Sequence, residues 1–337
     1  MRQTAILLVL WCSNALGQGA AGEANQALAL AREGKYDLAI PHYQAAIAQD
    51  PRIPGLHLNF GLALFKLNRL AEAAAAFENS LKADPSNFQS RVLLGMSYFG
   101  IRNYPAAAAA LKLALEHQPE NGELRYKLAQ SYLWSGAYPE ATEQFRMLLL
   151  KDPDSAPVHM LLGEVLDAAN RTEDATAEFQ AAAKSAPKEP EVHFGLGYLY
   201  WKQKRYDDAA REFQAELKAQ PKHTQALTYL GDSELQSGDA PAAEQHLRAA
   251  LKLDAGLRLA HLDLGILASR SDPHAAARHF QEAIRIDPSR PDAHYRLGRV
   301  WLSLGREQEA NAEFAKVKQL GDEKPDALLK LSKGAGR

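Results

Sequence analysis

Proline recurs every thirty-four residues along most of this 337-residue chain. Pro51, Pro85, Pro119, Pro153, Pro187 and Pro221 keep the interval; Ala255 holds the next place, and Pro288 follows after thirty-three. Glycine obeys the same period at Gly61, Gly95, Gly163, Gly197, Gly231, Gly265 and Gly298, with Ala129 in the remaining place. So does alanine, at Ala73, Ala107, Ala141, Ala175, Ala209, Ala243, Ala276 and Ala310. Four residues after each of these alanines stands a large apolar side chain: Phe77, Leu111, Phe145, Phe179, Phe213, Leu247, Phe280 and Phe314. An interval of this size means that one short supersecondary unit is copied along the chain, and that each copy buries its apolar face against the next.

Each copy contains two segments of about a dozen residues whose apolar positions follow a helical period, such as VHMLLGEVLDAA and TEDATAEFQAAA, joined by a short polar turn, here Asn170-Arg171. The unit is therefore a helical hairpin. Pro105, Pro139 and Pro241 fall at the start of second helices, where a missing N–H costs little because first-turn donors have no partner inside the helix. The glycine of the first helix and the alanine of the second let two backbones approach, and the large side chain one turn later fills the space beside them.

The pattern of Leu-Gly, then Ala-x-x-x-Phe, then Pro at this period resembles the tetratricopeptide repeat (TPR) family. The resemblance spans residues 20–324 as nine repeats, at about 20–53, 54–87, 88–121, 122–155, 156–189, 190–223, 224–257, 258–290 and 291–324. It implies an all-α fold, a right-handed α-solenoid of nine hairpins. The first repeat has Ala27 where glycine is usual, which suits a terminal unit with one neighbour. The segment DEKPDALLKLSK, after Gly321, is expected to supply a short capping helix within 325–337.

In the family, a stripe of the first helices lines a concave groove. The middle of the chain is richest there, with Tyr126, Gln130, Leu133, Met160, Glu164, Asp167, Phe194, Tyr198, Trp201, Thr228 and Asp232. Phe194, Tyr198 and Trp201 share one helical stripe, three and four residues apart, and are expected to face the groove as its central apolar anchor, with Tyr126 and Met160 on preceding repeats. Aromatic rings with scattered carboxylates suit an extended peptide that has apolar anchors and some basic character. The lysine and asparagine clamp by which some TPR domains hold chaperone C-termini is absent: the corresponding places hold Leu58 and Leu62, Val92 and Met96, or Tyr126 and Gln130.

His57, His159, His193, His261 and His294 recur at one repeat position, but a metal needs its ligands about 2 Å from one ion. Equivalent positions in adjacent repeats are separated by two helix packing distances of about 8–10 Å, so these histidines are expected to pack rather than to bind metal. GMSYFG, Gly95–Gly100, lacks the spacing of a nucleophile elbow and falls inside a first helix. HAAARH, His274–His279, has a five-residue gap and no glutamate of the zinc-protease kind. Neither a Walker loop nor a dinucleotide fingerprint is present. The expectation is a protein without catalytic residues, metal or cofactor. Asn170-Arg171-Thr172 is a formal glycosylation acceptor at a turn.

With 39 basic against 41 acidic side chains and no long run of either sign, the chain signals neither a nucleic-acid nor an anionic-membrane surface. MRQTAILLVLWCSNALG, residues 1–17, has a positive start, a short apolar run and a small-residue exit, as a secretory signal peptide has, with cleavage expected before Gln18. The run is too short to span a bilayer, and the single cysteine, Cys12, lies within it. An exported scaffold, periplasmic or secreted, that holds a protein or peptide and assists assembly of an envelope complex accounts for these features. The alternative is an accessory subunit in glycan handling or secretion, with a saccharide in the groove.

Overall fold

The computed structural model describes residues 19–320, and all of them are helix or connecting turn. The signal-peptide and capping-helix expectations at the two ends lie outside these residues. The described residues form two compact units, with the chain dividing between Lys151 and Asp152. The first unit holds α1 (19–32), α2 (Tyr36–Gln49), α3 (Leu56–Lys66), α4 (Leu70–Ala83), α5 (Phe88–Gly100), α6 (Tyr104–His117), α7 (Gly122–Ser135) and α8 (Tyr138–Leu149). The second holds α9 (Ala156–Ala168), α10 (Thr172–Ser185), α11 (Val192–Lys202), α12 (Tyr206–Ala219), α13 (Thr224–Ser237), α14 (Ala240–Leu253), α15 (Arg258–Ala268), α16 (Pro273–Ile286), α17 (Pro291–Ser303) and α18 (Glu307–Leu320). Odd-numbered helices are the first of each hairpin and even-numbered helices the second. Each unit is a stack of consecutive hairpins, as in an α-solenoid.

Helix starts follow the residues that cap them. The side chains of Asn87, Asn121 and Asp272 accept the N–H three residues on, at 2.8, 3.1 and 2.9 Å, satisfying a donor that has no partner inside the helix. Proline stands in the first turn of α6, α8 and α14, as the sequence predicts, and also of α9, α16 and α17.

The turn inside each hairpin repeats one backbone device. Gly34, Asn68, Arg102, Gly136, Asn170, Lys204, Gly238 and Gly305 all have φ between 58° and 92°, and the first seven are thirty-four residues apart. A left-handed residue ends the first helix and reverses the chain. The hairpin of α15 and α16 lacks it: Asp272, in the corresponding place, has φ −144° and caps α16. That turn is one residue shorter, which is why the repeat has thirty-three residues. At Lys204 (φ 59°) a side chain is held where L-residues are strained. Lys204→Gly is therefore expected to raise stability by about 1 kcal/mol. Gly136→Ala, where an added Cβ meets nothing within 4 Å, is expected to lower it by a similar amount through backbone strain alone. Urea titration of both variants checks the pair of signs.

The core is a row of wedges. The ring of Phe77 or Phe213, or the branched end of Leu247, enters between the two helices of its hairpin opposite the glycine of the first helix. All three side chains are fully buried. A Cβ built on Gly231 falls 2.6 Å from Leu247 Cγ and 3.2 Å from the Ala243 carbonyl. One built on Gly163 falls 2.5 Å from the Phe179 ring and 3.3 Å from the Ala175 carbonyl. The periodic glycine and alanine thus sit where two backbones nearly touch. Phe179 is held from the other side too, because a Cβ on Gly195 of the next repeat falls 2.2 Å from its ring. In the Gly195-Leu196-Gly197 stretch, Gly197 serves Phe213 of its own hairpin and Gly195 serves its predecessor.

Candidate functional site

The second unit carries a continuous aromatic cluster where α11 meets α12 and α13. Tyr229 is its hub, with ring centroids 5.0 Å from Trp201, 5.4 Å from Tyr198, 5.8 Å from Phe213 and 6.2 Å from Phe194. Phe194 also stacks on His223 at 4.7 Å. The expected anchor is therefore corrected in its geometry: Phe194 and Tyr198 are 3% and 0% exposed and face the next repeat, not a groove. The following first helix packs directly on this stripe, and large rings are what fills that interface. Trp201, at the edge of the cluster, stays partly exposed, and its indole N–H donates to Asp232.

The polar candidates are also drawn inward. Gln130, Glu164, Asp167 and Asp232 are all buried, whereas Tyr126 and Met160 are partly exposed. Asp167 receives the Lys202 ammonium. Asp232 accepts from Trp201 and, at 3.2 Å, from Gln236; burial raises its pKa in spite of these bonds. In the first unit, Gln130 Oε1 accepts from Lys127 Nζ at 3.0 Å, and Tyr126 packs edge-on against Phe145 at 6.3 Å.

Asp263 on α15 was not singled out by the sequence reading. It is 1% exposed, and its Oδ2 has no hydrogen-bond partner among the described residues. Burial first, then the nearby charge of Asp232, push its pKa well above the ordinary carboxylate value; Asp292 adds to the rise, and Arg296 and Arg258 oppose it. Above about pH 4, where a free aspartate ionises, the folded chain keeps a proton that the unfolded chain has released. Stability then falls as pH rises toward the folded value. Asp263→Asn is expected to remove that fall, so its advantage over wild type grows from pH 5 to pH 8. Denaturant titrations at the two pH values test this, and parallel slopes for the two proteins would refute it.

The recurring histidines join parts of their own hairpins. Nδ1 of His159, His193 and His294 lies 2.6, 2.7 and 2.6 Å from a carboxylate oxygen of Glu178, Glu212 and Glu313, always nineteen residues on. Nε2 of the same rings faces the carbonyl of Pro153, Pro187 and Pro288. Each ring thus ties a first helix to its second helix and to the preceding proline turn. His261 has His279 in place of the glutamate, at 3.1 Å; burial, followed by the charge of His261, lowers the His279 pKa.

Glu191, Glu216 and His223 bring one ligand-type atom each within 4.8 Å of one another. Their hydrogen bonds favour a clasp over a metal. His223 Nδ1 accepts the N–H of Ala226 at 3.2 Å, which places the ring proton on Nε2, facing Glu191 at 3.0 Å. A neutral imidazole has one lone pair, and here it is taken by the cap. The carboxylate of buried Glu216 accepts the backbone N–H of Phe194 at 3.2 Å and the side-chain amide of Gln220 at 2.6 Å. Glu191 itself has φ 68°, at the place where Gly55 (φ 74°) precedes α3. Its bond to His223 lowers its pKa.

The tetratricopeptide repeat family matches residues 98–165 in one form, and residues 25–88, 160–222, 194–257 and 266–327 in another. The chain belongs to the tetratricopeptide repeat family. No curated relative matches it by sequence. Solved TPR structures resemble it in fold. The C-terminal part of a TPR repeat-containing protein from Cytophaga hutchinsonii is 16% identical and aligns with 71% of this chain and 98% of its own, at a TM-score of 0.57. A tetratricopeptide repeat protein from Parabacteroides merdae is 15% identical, over 72% and 97%, at 0.55. The pilF protein of Pseudomonas aeruginosa is 20% identical, over 64% and 97%, at 0.53. Among the described residues of this TPR chain, no helix is long and apolar enough to cross a membrane.

The sequence reading missed Tyr229, Lys127 and Asp263, which share one place, two residues before the repeat glycine or its alanine substitute. That place faces the first helix of the preceding repeat: Tyr229 meets Trp201, and Lys127 meets Phe99. Aligning the repeats would have revealed the shared place. Only the packing shows what it touches.

Proposed function

We propose that this TPR protein is a non-enzymatic scaffold that holds a protein or an extended peptide segment on the inner faces of its first helices. The observation that carries this reading is the mixed, partly exposed row on those helices. In the second unit the row includes Met160, Trp201 and Lys202, the last two fixed by hydrogen bonds to Asp232 and Asp167. Side chains already immobilised lose little entropy on binding, which favours recognition of a defined partner. Against a saccharide ligand stands the burial of Phe194 and Tyr198, which leaves those rings no face on which a sugar can stack. The N-terminal pattern of residues 1–17 supports export, and with it a role in assembling an envelope or secreted complex.

Site-specific photocrosslinking tests the surface. A benzophenone side chain at position 160, on an inner helix, is expected to trap a partner protein in the native host. The same probe at the exposed position of Met147, on second helix α8, is not. Equal trapping at the two positions, or trapping only at 147, would move the binding face elsewhere.

A further inference from the structure

We propose that the inner row of the first unit at Phe99, Lys127 and Trp134 receives the carboxylate of an aspartate or glutamate side chain from a bound protein segment. The inference rests on the scaffold reading above and narrows it to one ligand chemistry. It comes from two places that occupy the same register in different repeats. In the second unit, Trp201 meets Tyr229 of the next first helix, and Asp232, one residue past Gly231, accepts the indole N–H. In the first unit, Phe99 meets Lys127 in the same pair of positions, and the residue corresponding to Asp232 is Gln130. Where the second unit supplies its own carboxylate, the first has a neutral amide.

Two donors are left in that place with too little to receive them. Lys127 Nζ lies 4.4 Å from the centroid of Phe99 and bonds Gln130 Oε1 at 3.0 Å; among the described residues no carboxylate pairs with it. Burial lowers its pKa. The indole of Trp134 packs against Phe99 and Tyr104, at 5.2 and 5.3 Å between centroids, and its buried Nε1–H has no acceptor among the described residues. An amide oxygen can satisfy one donor, but only an anion offsets an ammonium drawn partly out of water. The flanking rings form an apolar rim that strengthens such a pair by excluding solvent. Lys112, exposed on second helix α6 and outside the row, serves as a control for loss of one positive charge.

The experiment uses the full chain and two fluorescein-labelled, acetylated nonapeptides that differ only in three glutamates replaced by glutamines. Anisotropy titrations at low salt are expected to show the glutamate peptide binding about tenfold more tightly, with the preference shrinking as salt is added. Lys127→Gln and Lys127→Met, the second of which keeps the stem over Phe99, are expected to abolish the preference. Lys127→Arg and Lys112→Gln are expected to keep it. The Trp134 indole N–H resonance should shift on addition of the glutamate peptide to wild type and not to Lys127→Met. Equal binding of the two peptides by wild type, absence of binding by either, or a preference that survives both charge-removing variants would overturn the inference. Should that happen while position 160 still traps a partner protein, the scaffold reading stands and only the carboxylate receptor falls. If position 160 traps nothing as well, both fall.

Discussion

Replacing Tyr198 with alanine is expected to lower the stability of the second unit by about 3 to 5 kcal/mol, the cost of emptying the site of a fully buried large ring. Tyr198 is 0% exposed and lies between Trp201 and Tyr229, at 5.7 and 5.4 Å. Its loss opens the packing of α11 on α13, the joint between two repeats, so the damage spreads to the neighbour on which each repeat depends. Trp201→Ala is expected to cost less in packing, because the ring is partly exposed, though it removes a hydrogen bond from buried Asp232. Urea titration followed by circular dichroism gives the ranking, with a loss under 1 kcal/mol for Tyr198→Ala inconsistent with its burial. Partner binding is the complementary readout: the Trp201 variant should weaken it at equal folded fraction, whereas the Tyr198 variant should weaken it only through unfolding.

The hairpins were legible because their signals are local or strictly periodic. Gly163 and Phe179 are sixteen residues apart, and their spacing alone predicts that one closes on the other. The αL turn residues follow the same count, and so does the missing one in the short repeat. The candidate surface was legible only as a stripe on a helix. Whether Phe194 and Tyr198 face solvent or the next repeat depends on how closely the following first helix approaches, and that distance is set by Tyr229 and His223, residues about thirty positions further on. The clasp of Glu191, Glu216 and His223 was hidden for the same reason, since its members are brought together by three different helix ends. Asp263 looks like an ordinary surface carboxylate in the sequence, because the apolar residues that bury it come from neighbouring helices.

Gly163→Leu is expected to destabilise the chain by about 3 kcal/mol or more, at the upper end for overpacked sites. The clash is with a buried ring at 2.5 Å and a backbone oxygen at 3.3 Å. The ring cannot swing away, because Gly195 closes the other side at 2.2 Å from a Cβ position. Thr228→Ala provides the contrast. Its hydroxyl bonds the Thr224 carbonyl of its own helix at 2.8 Å, so truncation removes a methyl group and a local bond, at a cost of about 1 kcal/mol. Equal denaturation midpoints for the two variants would mean that the glycine does not mark the closest approach of the two helices.

The grip of Gly195 on Phe179 also limits how such a chain can be shortened. Excision of residues 190–223 conserves the thirty-four-residue phase and would look silent on paper. It would nevertheless deliver Tyr229 to the place that Gly195 occupies, pressing a phenol against a ring that tolerates no more than hydrogen. The unit that can be lost or duplicated without injury is therefore not the repeat as counted from proline to proline. It is a segment whose ends leave Phe179 and Gly195 together or remove both, and rearrangements of this gene that separate the two should be purged.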